Sequence, residues 1–403
     1  MKLNTNMRAT IFCGLDYLFH LFDHVRKKND ALNFKKILLI RTHALGDVLL
    51  TTPAIRALRL QFPEAILSFL VTESVKAVIE NNPNIDQIIS FPDTLLVKFK
   101  FLPFLRLVKK LRREKYDCVI SFSRTAGIHL LAFATGSPMR VGLDFRGSGF
   151  PLSLKVPDKK SNVADKEQCA VEDYLDIVKI LGVQENGTHL DFYLTSEGKA
   201  CVENFLDKAG VSSRDLVIGI FPGGCDNPAE KVFARRWPVQ KYAQLADILI
   251  SGLSAKVIAL GDNKDSELIS QMFSLMKEKA INGCNIGNLN TFGHLLKRCS
   301  LLITNDSLPM HLALSLNIPT VAPFGPTNSK VYLTPDNCSL FVPIQSSLEC
   351  SPCYWKERFK GCKKYDSPKC MDAISTSEVL GAIKKLLQSN YRKDLFKAIS
   401  LPH

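Results

Sequence analysis

The chain has 403 residues, 46% hydrophobic and 23% charged, too many for one ordinary core and too apolar for a disordered polymer. Its net charge of +13 favours anionic partners, and residues 1–120 alone hold 19 Lys and Arg against 11 Asp and Glu. With no zinc-finger spacing, no aromatic RNP motif and no basic tail, nucleic acid is the weakest partner class, which leaves an anionic membrane or an acidic substrate.

Residues 8–28 read as an amphipathic helix. Phe12, Leu15, Leu18, Phe19, Phe22 and Val25 share one face and Asp16, His20, Asp23 and Lys27 the other. An accessory helix packed on the following domain and a helix lying on a membrane surface fit this pattern equally. The most apolar part, Ile11 to Val25, carries Asp16, His20, Asp23 and His24 and has no small-residue cleavage site. It is therefore expected neither to span a membrane nor to act as a signal peptide, and the chain is expected to stay in the cytoplasm. There the 12 cysteines argue against a disulfide framework.

A first domain, 35–210, opens with Ile37–Ile40, an uninterrupted apolar run of the kind found in a buried parallel strand. Arg41-Thr42-His43-Ala44-Leu45-Gly46-Asp47 follows, then an apolar helix carrying Leu49, Leu50, Ile55 and Leu58. Ligands of open α/β folds bind at such strand-to-helix turns, Gly46 permits close backbone approach, and a helix N-terminus favours anions. Asp47 taken alone reads as a helix cap. Further strands are predicted at Leu67–Val71, Gln87–Ser90 and Cys118–Phe122, alternating with helices as in a parallel sheet. Val97 to Leu105 alternates bulky apolar residues with Lys98 and Lys100 and precedes Arg106, Lys109, Lys110, Arg112 and Arg113, which reads as a lipid-facing loop. Lys155 to Lys166 is polar and reads as a loop.

A second domain, 211–390, repeats the alternation with strands at Val217–Phe221, Lys256–Leu260, Leu301–Thr304 and Pro319–Pro323 and helices at Val239–Ser251 and Thr376–Leu387. Residues 1–34 and 391–403 flank the pair. Strand ends in the second domain carry Phe221-Pro222-Gly223-Gly224, Gly261-Asp262-Asn263-Lys264-Asp265, Asn305-Asp306-Ser307-Leu308-Pro309-Met310-His311 and Phe324-Gly325-Pro326-Thr327. Arg235-Arg236-Trp237-Pro238 lies between the first and second of these strands.

Gly46-Asp47-Val48, the Gly-Gly block, Arg-Arg-Trp-Pro, Asn-Asp-Ser and Phe-Gly-Pro-Thr, in this order and over nearly the whole chain, resemble glycosyltransferase family 9, the heptosyltransferases of lipopolysaccharide core assembly. The resemblance implies an α/β chain of GT-B type, two Rossmann-like domains facing across a cleft. It implies inverting transfer of heptose from ADP-heptose to a lipid-linked inner-core acceptor on lipid A, at the anionic inner face of the cytoplasmic membrane. No cofactor is required for such catalysis. A different nucleotide sugar, or a catalytically silent glycolipid-binding relative, would keep the same fold. The lack of Gly-x-Gly-x-x-Gly after the first strand speaks against a dehydrogenase.

The resemblance makes Asp47 the general base, since a carboxylate need only accept a proton as positive charge builds at the sugar carbon. It places the donor phosphates on Gly223 and Gly224 and on Arg235 and Arg236, which stand where the family often has Lys before its second cation. It gives Asp306 and Ser307 to the donor as well. His311 belongs to the same block, with a structural hydrogen bond as good a reading as catalysis. The family glycine after Ser307 is Leu308 here, which would strain a positive-φ backbone or else narrow the pocket. An acid after the second strand of such a domain commonly meets a ribose, and both Asp262 and Asp265 qualify. Cys350, Cys353, Cys362 and Cys370, spaced C-x2-C-x8-C-x7-C, suit a structural zinc, with reduced packing or redox-pairing thiols the favoured reading.

Overall fold

The computed structural model describes residues 33–97, 101–157, 169–225, 232–354, 362 and 368–390. The expected helix at 8–28, Lys98 to Lys100, most of the Lys155–Lys166 segment and the tail from Tyr391 lie outside the described residues. The chain divides between Leu190 and Asp191 into two units.

The first unit holds β1 (Lys36–Ile40), β2 (Ile66–Thr72), β3 (Gln87–Phe91), β4 (Cys118–Ser121), β5 (Met139–Asp144) and β6 (Leu154–Pro157) in the order β3-β2-β1-β4-β5-β6. Every pairing is parallel. The central strand β1 buries Ile37 to Ile40 completely, which accounts for their unbroken hydrophobicity. The chain winds outward from β1 on one side and from β4 on the other. The gap between these two strand ends is thus the topological switch point of the sheet.

Three local expectations need correction here. The apolar helix after β1 is two helices, Leu45–Leu49 and Thr52–Gln61, because Pro53 cannot continue the first ladder. Thr51 and Thr52 hydroxyls satisfy the carbonyls of Val48 (2.6 Å) and Leu49 (2.7 Å) at the break. Phe101–Glu114 is a helix and not a loop, with Leu107 and Leu111 buried beside Leu38 and Ile40 and Phe104 partly buried on the same cluster. Leu154–Pro157 is the edge strand β6, paired with β5, and not a loop.

The second unit holds β7 (Val217–Phe221), β8 (Lys256–Gly261), β9 (Ile281–Cys284), β10 (Leu301–Thr304), β11 (Thr320–Phe324) and β12 (Phe341–Gln345) in the order β12-β11-β10-β7-β8-β9. All pairings are again parallel, and the switch point falls between β7 and β10. Residues 191–210 group with this unit, ahead of the boundary expected at 210. Their helix Lys199–Lys208 packs on Leu289–Arg298, and the Asn290 side chain accepts from the Thr195 N–H (3.0 Å) and donates to its hydroxyl (3.0 Å). The core gathers Trp237 and Tyr242, the Val239–Leu253 helix, and Val379, Ile383 and Leu387 of the last helix, Thr376–Asn390. Among the described residues no helix is long and apolar enough to cross a membrane.

Candidate active site

In the first unit, Asp47 stands in the Leu45–Leu49 turn directly beyond β1. Its carboxylate pairs with the Arg41 guanidinium, whose Nη1 also donates to the Phe122 carbonyl (3.1 Å) at the end of β4. Arg41 therefore ties the two strand ends of the switch point together and orients Asp47. Asp47 is 37% exposed and Arg41 only 11%, so the acid is reachable while its partner is fixed. The positive φ in this turn belongs to Ala44 (62°). Arg124, also beyond β4, is held by the buried Asp173 at 2.6 Å. Sequence reading had no role for Arg41. The available signal was a cation closing an apolar strand six residues before the acid.

In the second unit the Gly223–Gly224 turn, Arg235–Arg236, Asp265 and Asn305–Ser307 come together at the β7–β10 switch point. Asn305 is completely buried and organises them. Its Oδ1 accepts from the Trp237 N–H (2.8 Å) and the Tyr242 hydroxyl (3.0 Å), and its Nδ2 donates to the carbonyls of Pro222 (2.8 Å) and Gly223 (3.0 Å). One amide thus joins three blocks far apart in sequence, with all four of its hydrogen-bonding positions matched. Sequence reading quoted Asn305 without assigning it.

The remaining expected residues separate into distinct roles. Asp265 is buried and accepts the Gly224 N–H at 3.0 Å, and a Cβ on Gly223 would collide with its carboxylate. Gly224 has φ +78°, so the turn needs both glycines, for different reasons. Burial pushes the Asp265 carboxyl above its usual range, against the lowering effects of the Gly224 N–H and Arg236. Arg236 is engaged inside the turn, donating from Nε (2.9 Å) and Nη2 (2.6 Å) to the Gly224 carbonyl and lying 3.6 Å from Asp265. Asp262, by contrast, is exposed, and its carboxylate accepts only the local Lys264 N–H (2.7 Å) among the described residues. The structure thus separates the two acids that the sequence left open.

Arg235 is the cation with capacity to spare. Its side chain is 15% exposed and its Nη1 lies 3.5 Å from Asp306 Oδ2, yet among the described residues it makes no hydrogen bond, and Nε and Asp306 Oδ2 both lack a hydrogen-bond partner. Ser307 precedes the Leu308–Ser315 helix, with Pro309 in its first turn. Leu308 has no positive φ, so its substitution for glycine introduces no backbone strain. His311 is buried, with its ring edge-on to the Tyr332 ring at 5.0 Å. Cys350, Cys353, Cys362 and Cys370 are all free thiols and line one cavity of about 20 Å³ with Pro326 and Lys369. Among the described residues no group of three or more His, Cys, Asp or Glu is arranged to hold a metal.

Two doubly wound parallel sheets, one with a half-exposed acid and the other with a glycine turn and a largely buried arginine at its switch point, define a GT-B-type glycosyltransferase. The chain belongs to glycosyltransferase family 9, the heptosyltransferase family, whose profile matches residues 104–363. It is 26% identical over 309 residues to lipopolysaccharide heptosyltransferase 2 of Escherichia coli, covering 73% of this chain and 83% of that protein. A family 9 glycosyltransferase from Veillonella parvula superposes with a TM-score of 0.76 at 25% identity, covering 89% of this chain and 98% of its own. The E. coli ADP-heptose lps heptosyltransferase II has the same fold, with a TM-score of 0.66 at 23% identity over 88% and 99% of the two chains.

Proposed function

We propose that the protein transfers heptose from ADP-heptose to a lipid-linked acceptor of the lipopolysaccharide inner core. The observation that carries this reading is Arg235, a largely buried guanidinium whose Nε has no hydrogen-bond partner, in the same strand-end cluster as the Gly223–Gly224 turn. Buried polar groups are almost always hydrogen-bonded, and a guanidinium fork suits phosphate oxygens. In this reading Asp47 accepts the proton of the acceptor hydroxyl, whose oxygen attacks the anomeric carbon from the face opposite the phosphate. The bond to the nucleoside diphosphate breaks with inversion, and its electron pair leaves on the β-phosphate oxygen, where Arg235 stabilises the charge. Arg41 holds the base, Arg236 and Asp265 hold the glycine turn, and Asp262 is the acid for the ribose. Neither a metal nor an organic cofactor has a part in this scheme.

The same reading places the protein on the anionic cytoplasmic face of the membrane. On the Phe101–Glu114 helix, Phe101 and Leu102 are 61% and 65% exposed, and Arg106, Lys109, Lys110 and Arg113 line one basic depression. Apolar residues followed by a basic cluster suit an anionic lipid surface.

Thermal-shift screening against ADP, UDP, GDP and CMP, followed by transfer from ADP-heptose to a lipid A–inner-core acceptor, tests the proposal. ADP at a hundred times its Kd should stabilise the native state by about 2.7 kcal/mol. A shift with UDP or GDP and none with ADP would overturn the assignment of the donor.

A further inference from the structure

The cysteine segment after β12 has no part in the scheme above, yet it reaches the donor residues. The Tyr354 ring lies under the Arg235 guanidinium, 4.6 Å from its centroid to Cζ. The Cys353 and Tyr354 N–H groups both donate to the Pro326 carbonyl, at 2.8 and 2.6 Å. Ser351 donates to the Gly325 carbonyl at 2.6 Å, and Gln345 joins Gly325 (3.1 Å) to Ser351 (2.9 Å). A Cβ on Gly325 would lie 2.7 Å from Cys370 Sγ, so the helix Lys369–Asp372 is packed directly on this glycine. Five contacts thus fasten the cysteine segment to the turn after β11, and the residue it carries inward is an aromatic ring against a cation.

We infer that Tyr354 is a positioning residue that holds Arg235 ready for the donor diphosphate, with the cysteine segment as its anchor. The inference rests on the reading of Arg235 as the phosphate contact. Arg235 has two anionic suitors, the Asp306 carboxylate and the diphosphate. At 3.5 Å from Asp306 it is paired by charge without a hydrogen bond. A guanidinium stacked on an aromatic face keeps its N–H donors in its own plane, free for an oxyanion. Without the ring, Arg235 loses the face that holds it out of a hydrogen-bonded pair with Asp306, a pair the diphosphate would have to break to bind.

Calorimetry with ADP and adenosine on Tyr354→Phe, Tyr354→Leu and Tyr354→Ala tests this. Tyr354→Leu fills the space without a π face and covers the case in which Tyr354→Ala does not fold. Leu and Ala should raise the Kd of ADP about tenfold and leave that of adenosine within about twofold, and Phe, which keeps the π face, should lose less than Leu. The loss should shrink in an Asp306→Asn background, where the competing anion is gone. Wild-type affinity in Tyr354→Leu, equal losses for ADP and adenosine, or a loss in Tyr354→Phe as large as in Tyr354→Leu would each overturn the inference. Arg235→Ala separates it from the functional reading. If that variant binds ADP like wild type, the phosphate contact itself is wrong. If it loses ADP while Tyr354→Leu does not, the role of Tyr354 alone fails.

Discussion

Replacing Asn305 with Ala removes the amide that joins Trp237, Tyr242, Pro222 and Gly223. Its four hydrogen bonds are buried, and each contributes about 1 kcal/mol net, so Asn305→Ala should cost about 4 kcal/mol. In a unit of this size 1 kcal/mol moves Tm by about 2–4 °C, which predicts a fall of about 8–16 °C. Asn305→Asp should cost as much, since it keeps the acceptor for Trp237 and Tyr242 but turns a carboxylate oxygen toward two carbonyls. Differential scanning calorimetry with and without ADP identifies the transition of the second unit as the one that ADP raises. A fall of less than about 4 °C in that transition for both variants would refute Asn305 as the organiser of the donor turn.

Asp47→Asn should lower turnover by about 100- to 10,000-fold while ADP binding stays intact, and retention of half the wild-type rate would remove Asp47 from the mechanism. Arg235→Ala should weaken ADP by roughly 1.5–3 kcal/mol and adenosine hardly at all, and calorimetry showing equal effects would make Arg235 structural. Burial holds the His129 imidazole below its ordinary pKa, outweighing the carbonyls of Ser148 (2.8 Å) and Ser123 (3.0 Å). The unfolded chain then takes up a proton as pH falls through about 6.5 and the native one does not, so stability present above that pH is lost below it. His129→Gln should flatten the loss between pH 7 and 5, and an unchanged pH–stability profile would discard the argument. Flotation with anionic vesicles should recover the protein at low salt and lose it at high salt, or when Arg106, Lys109, Lys110 and Arg113 become Gln. Each basic residue contributes about 1 kcal/mol at such a surface, and a protein that stays in the lipid-free fraction at low salt ends the membrane proposal.

Most of the strands legible in the sequence were those whose two covered faces demand unbroken hydrophobicity, the half-exposed edge strand β3 being the exception. Val217–Phe221 and Leu301–Thr304 were read to the residue, and β1 nearly so. Four strands escaped notice, and each breaks that pattern. In β5 a buried Arg140 interrupts the run, tolerated because Nε and Nη1 donate to the carbonyls of Pro151 (2.9 Å) and Ser137 (2.7 Å). Of the other three, all edge strands, β12 contains Pro343, β9 reads Ile-Asn-Gly-Cys, and β6 reads Leu-Lys-Val-Pro with only Val156 buried. At the candidate site, residue type indicated which side chains belong to the chemistry but not how they divide the work. Arg235 and Arg236 are neighbours of identical composition. Only the Gly224 carbonyl and Asp265 reveal that one is committed to the turn. Asp262 and Asp265 were likewise separated only by burial, and Asn305 acts through a side chain whose partners lie more than sixty residues away in sequence.

The switch points also set the order in which the molecule comes into being. The first sheet closes with Pro157, by which point Asp47, Arg41 and β4 have all been synthesised. The second sheet needs β10 to fill the place beside β7, and Tyr354 reaches Arg235 later still. Roughly 200 residues separate Pro157 from Tyr354, about 10–40 s of translation at ordinary ribosomal speeds. During that interval the nascent chain carries the sheet that bears Asp47, while the second sheet, which needs β10 beside β7, is unfinished.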